Sequence, residues 1–110
     1  MAVKSLHITF EGKTYTLEFN RKSVETMERQ GFVASDISDK PMTTLPALFA
    51  GAFIMHHKFL NKEIIDRMFN KITNKEVFIE KLSEMYNEPL VTLIEEPEED
   101  EGNATWEPNW

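Results

Sequence analysis

Three features of this sequence carry side chains suited to chemistry or recognition: an adjacent histidine pair, a ladder of glutamates, and two tryptophans behind a run of acids. His56 and His57 form the pair. Neighbouring helical residues point about 100° apart, so these rings cannot chelate one ion as an i, i+4 pair does. His7 is isolated from them in the sequence. The expectation is structural, with one ring packed near a helix end and the other in solvent. No Gly-x-Ser-x-Gly elbow, phosphate loop or dinucleotide fingerprint is present, and the chain has only four glycines. Cysteine is absent, which removes thiolate metal sites, cysteine nucleophiles and disulfides together. Catalysis therefore has no positive sign in the residues, and no metal or cofactor is expected.

Glu76, Glu80, Glu84 and Glu88 recur every fourth residue and form a ridge if this stretch is helical. Like charges at that spacing cost about 0.2–0.5 kcal/mol per pair. Lys81 relieves this only in part. The plain reading is a solvated face; the functional one is a docking ridge for a basic partner.

The third feature is the C-terminal segment. Glu98, Glu99, Asp100 and Glu101 lead through Asn103 to Trp106 and Trp110. Self-repulsion and scarce apolar area favour disorder over 95–110. Tryptophan, however, is enriched among binding hot spots. An acidic segment with two aromatic anchors has the make-up of a motif that folds onto a partner, with charge steering the encounter. The alternative is that both rings fold back and cap the body's own core. Asn103-Ala104-Thr105 matches a glycosylation triplet, which has no meaning without a secretion signal.

Charge separates this tail from the rest. All 12 lysines and arginines lie within residues 1–94, as do 12 of the 19 acids, so the body is neutral. The remaining seven acids sit in residues 95–110 and account for the whole net charge of −7. Nucleic acid is an unsuitable partner for a chain without a cationic face. The longest apolar run, Leu45 to Met55, is eleven residues, whereas a membrane helix needs about 20. The start shows no basic segment followed by an apolar run, so no signal peptide is expected. A location in the cytoplasm follows as an expectation.

The elements that position these residues are legible in the hydropathy pattern. Leu6, Ile8 and Phe10 alternate with polar residues, as do Tyr15, Leu17 and Phe19, and Glu11-Gly12-Lys13 separates them. This predicts a β-hairpin with one apolar face that must pack on helices. Asn20 is placed to cap a helix over 21–30 with Val24 and Met27 inward. Gly31 supplies a left-handed stop, and Phe32 then falls against Met27. Residues 33–43 read as a loop with one short helical turn. A second helix is expected from Thr43 or Thr44, with Pro46 in its first turn and Leu45, Leu48, Phe49, Ala52, Phe53 and His56 at helical spacing. Ala50, Gly51 and Ala52 would let another element approach closely. Asn61 caps a third helix carrying Ile64, Ile65, Met68, Phe69 and Ile72. Thr73-Asn74-Lys75-Glu76 reads as a capping box for a fourth, with Val77, Ile79, Leu82, Met85 and Tyr86 inward. Pro89 is expected to end or kink it, with Leu90, Leu93 and Ile94 in one further short helix. The fold class is α+β: an N-terminal hairpin packed on about four helices over 1–94, followed by the tail at 95–110.

The stretch Ile8-Thr9-Phe10-Glu11-Gly12-Lys13-Thr14-Tyr15-Thr16-Leu17-Glu18-Phe19 leads into Asn20-Arg21-Lys22-Ser23-Val24-Glu25-Thr26-Met27-Glu28. Gly31-Phe32, then Leu48-Phe49-Ala50-Gly51-Ala52-Phe53, and finally Gly102-Asn103-Ala104-Thr105-Trp106 follow in order. Together they resemble a family of small proteins encoded in the tail-gene clusters of long-tailed phages and prophages of bacteria such as Firmicutes. The resemblance spans nearly the whole chain and rests on the order of the motifs and the Asn-x-Thr-Trp ending. It implies a tail assembly chaperone, which acts without catalysis and coats the helical tape-measure protein before tail-tube subunits polymerise around it. It also implies protein partners (tape-measure protein, tail-tube protein), with self-association open. Two rivals stand beside this expectation. One is a structural tail component, such as a completion or connector protein. The other is an acidic DNA mimic, which would want carboxylates spread over a rigid body rather than gathered in a tail.

Overall fold

The computed structural model describes residues 4–95, 102 and 104–110. Two strands, β1 (Leu6–Phe10) and β2 (Lys13–Leu17), pair antiparallel with Ile8 opposite Tyr15. Glu11 and Gly12 join them in a two-residue turn, both at positive φ (50° and 79°), which matches the twist of the flanking strands. Four helices follow: α1 (Arg21–Arg29), α2 (Pro41–Gly51), α3 (Lys62–Asn70) and α4 (Lys75–Leu93), with a short 3-10 turn at Ala34–Ile37. The arrangement is α+β.

Local chemistry sets the boundaries of α1. The Asn20 side chain accepts from the Ser23 N–H at 2.8 Å, and the Ser23 hydroxyl accepts from the Asn20 N–H at 2.9 Å. At the other end Gly31 takes φ +96°. The Phe32 N–H then donates to the Met27 carbonyl and the Gly31 N–H to that of Glu28, both at 3.0 Å. This is a Schellman ending. Asn61 caps α3 by accepting from the Glu63 N–H at 2.7 Å.

Elsewhere the structure corrects the sequence-based boundaries. Helix α2 begins at Pro41, not at Thr43 or Thr44, because a proline at the first helical position lacks only a donor that has no partner there. Pro46 therefore lies inside the helix and not in its first turn. The helix also stops at Gly51. Beyond it, Phe53 and Ile54 donate back only three residues, to Ala50 and Gly51, so the chain tightens into turns before His56. Thr73 does not open a capping box. Asn74 occupies the N-cap position of α4 with a left-handed backbone (φ 51°) and makes no side-chain cap bond. Pro89 neither ends α4 nor starts a new helix; it is buried within one continuous helix that runs to Leu93. Val77 points outward, 43% exposed, and Phe78 takes the inward position.

The core forms where the apolar face of the hairpin meets all four helices, with Ile65 and Met68 contributed by α3. Phe49 sits at its centre, its ring centroid 5.0 Å from Phe53, 5.1 Å from Phe69 and 5.7 Å from Phe78. Tyr86 of α4 receives Phe19 at 5.4 Å and Phe32 at 5.5 Å, both edge-on, and so ties α1 and the end of the hairpin to α4. Gly51 lets α1 close on α2, since a β-carbon there would meet the Met27 side chain.

Candidate functional site

The three histidines gather on two residues of the hairpin. The His57 Nε2 accepts the Thr16 backbone N–H at 3.0 Å, and its half-buried ring stands edge-on to Tyr15 at 5.2 Å. His56 is exposed, and its Nε2 lies 3.0 Å from the Glu18 Oε1. His7 Nδ1 lies 3.2 Å from the Thr16 hydroxyl. One ring therefore packs and the other meets solvent, as the spacing suggested. Sequence reasoning missed what the pair does. Together with the Ala52 carbonyl, which accepts from the Glu18 N–H at 3.1 Å, His57 covers the outer edge of β2. Among the described residues no group of three or more His, Asp or Glu side chains converges as a metal site would.

The glutamate ridge runs along α4, but its members differ. Glu88 is half-buried and lies 3.5 Å from Lys4, and Glu84 lies 3.8 Å from Lys81. Glu76 and Glu80 are exposed, and neither joins an ion pair among the described residues. Half of the ridge is thus locally neutralised. On the buried side of the same helix, Tyr86 has its hydroxyl pushed above the usual phenol range, first by burial and then by the negative charge of Glu28 on α1.

Of the tail residues, Glu98, Glu99, Asp100, Glu101 and Asn103 lie outside the described residues. Trp106 is 82% exposed and Trp110 fully so; neither ring caps the core in this arrangement. Further apolar area is exposed at the end of α4, with Leu90, Val91 and Leu93 on its last turn and Ile94 just beyond it.

A groove of about 1000 Å³ has no counterpart in the sequence reading. It opens between the end of α1, the 3-10 turn, α2 and α3, with Met27, Phe32, Pro46, Ile54 and Phe69 among its walls. Met42 stands at its border, 88% exposed. The sequence signal was the loop at 33–43, whose apolar Val33 and Met42 lacked any periodic role.

A family model described as a domain of unknown function (DUF5055) matches residues 1–110. The chain belongs to that family. No curated protein and no solved structure matches it. Membership therefore extends over hairpin, helices and tail alike. Among the described residues, no helix is long and apolar enough to cross a membrane.

Proposed function

We propose that this protein binds other proteins without catalysis during phage tail morphogenesis, as an assembly chaperone for the tape-measure protein, the tail-tube subunits or both. The observation that carries the reading is the pair of exposed tryptophans at the end of the only strongly charged segment. Large exposed aromatic rings beside like charges suit capture of an apolar client, while the acids keep the complex soluble and steer the encounter. The groove along α2 and α3 supports it, since its apolar residues Phe32, Pro46, Ile54 and Phe69 lie among the charged Asp36, Lys40, Lys62 and Asp66, a mixed wall that suits one face of an amphipathic client helix. The order of motifs resembling the phage family supplies the setting, the cytoplasm of an infected bacterium before the particle is complete.

Co-expression with the tape-measure protein of the same gene cluster tests this. The expected result is a soluble complex that Trp106→Ala/Trp110→Ala weakens. Neither a complex nor improved client solubility would sink the proposal. Mass spectrometry of purified particles separates it from a structural tail component, which would remain in the virion while a chaperone would not. Reversing Glu76 and Glu80 to lysine tests whether the unpaired half of the ridge contributes to client capture.

A further inference from the structure

The two outer edges of the hairpin are treated differently. In this register, with a two-residue turn, Leu6, Ile8 and Phe10 exchange backbone hydrogen bonds with β2, while His7 and Thr9 direct their N–H and C=O groups away from it. The same parity turns Thr16 outward on β2, where His57 accepts its N–H at 3.0 Å. The Glu18 N–H is likewise taken by Ala52. On β1 no such cover exists among the described residues: no backbone bond beyond the strand pair involves His7 or Thr9, and both residues are exposed. Edge strands normally carry a charge, a proline or a bulge that blocks pairing with another chain. Leu6-His7-Ile8-Thr9-Phe10 has none of these.

We propose that β1 is the docking edge for a second copy of this chain, giving a two-fold dimer with strand order β2-β1-β1-β2. The sequence of β1 is self-complementary for this. An antiparallel pairing centred on Ile8 sets His7 against Thr9 of the second copy, the two residues whose main-chain groups point outward. On the apolar face it sets Leu6 against Phe10 and Ile8 against Ile8. All three side chains are only half-buried in the single chain, so each gains a neighbour. Lys4 already pairs with Glu88 at 3.5 Å and Glu11 with Arg67 at 2.5 Å in the single chain, so the two-fold pairing rests on the apolar face and the open main-chain edge and not on charge. A slip of one residue would turn the apolar face of one copy toward the solvent face of the other, so the register is specified. Four main-chain bonds and three apolar pairs make a small interface, and the dimer is accordingly weak and concentration-dependent.

Sedimentation of the full chain over a concentration series up to about 500 µM, with amide exchange followed at both ends of the series, tests this. The expected result is a species of twice the 12.8 kDa chain, with the His7 and Thr9 amides slowed as it forms. The double variant His7→Glu/Thr9→Glu, which faces like charges across the pairing, dimerises about tenfold more weakly. His7→Glu/Thr9→Lys, which faces opposite charges, recovers most of that loss. A chain that stays monomeric throughout overturns the proposal. So does a dimer in which those two amides exchange as fast as in the monomer, because the exposed end of α4 would then be the contact. Should the variants fail to fold, amide exchange in the unsubstituted protein decides.

Discussion

Gly51→Ala exposes the logic of the core most directly. Gly51 ends α2, and its backbone is one that any residue adopts, so the substitution introduces no backbone strain. A β-carbon at this position would lie 2.4 Å from both the sulfur and the terminal methyl of Met27, and 2.9 Å from its Cγ. Met27 is flexible in principle, yet only 2% exposed, so its side chain has nowhere to retreat without moving α1 away from α2. Overpacking of this kind costs about 1–3 kcal/mol. Alanine in place of a helical glycine returns about 0.5–1 kcal/mol. The net is a loss of up to about 2.5 kcal/mol, a fall in Tm of up to roughly 20 °C for a domain of this size. Met27→Ala alone costs about 2–5 kcal/mol through the cavity it leaves. In that background the obstacle is gone, so Gly51→Ala becomes stabilising by about 0.5–1 kcal/mol. Chemical denaturation of the four proteins closes the cycle, and the sign change is the signature of direct contact. If Gly51→Ala raises stability in the unsubstituted protein, or costs the same in both backgrounds, the close approach of α1 to α2 is wrong.

Three further perturbations separate the roles assigned above. His57→Phe keeps a ring beside Tyr15 but removes the acceptor for the Thr16 N–H; a loss of about 1 kcal/mol is expected, with faster exchange of that amide by NMR. Because the Tyr86 hydroxyl is pushed above the usual phenol range, the neutral form is favoured in the folded chain. Its contribution is fully present below the unfolded phenol range near pH 10 and is lost as pH rises through the higher folded value. Tm measured from pH 9 upward should therefore fall, and Tyr86→Phe should flatten that fall. Trp106→Ala/Trp110→Ala should change stability by less than about 0.5 kcal/mol, since both rings are exposed. A larger loss in thermal unfolding would mean that they pack on the body after all.

The sequence by itself determined the elements whose instructions are local. Alternation in Leu6-His7-Ile8-Thr9-Phe10, with Glu11-Gly12 between the strands, suffices for the hairpin, because period-two burial and a positive-φ turn need only neighbouring residues. Asn20, Gly31 and Asn61 set helix limits by bonds that span two to five residues. The separation of a neutral body from an acidic tail is a property of composition alone. Tertiary structure decided what local rules leave balanced. Pro89 would break an isolated helix, yet packing holds α4 continuous through it. Phe78 shares the helical stripe of Leu82, Met85 and Tyr86, a spacing that favoured it over Val77, and its packing on Phe49 is the contact that the tertiary structure adds. His57 looked like a helix-end histidine until the fold brought Thr16, forty-one residues away, to its ring nitrogen. That contact closes one edge of the hairpin and leaves β1 as the edge open to a partner, a distinction no periodicity could express because it depends on which distant backbone donor the fold brings within reach.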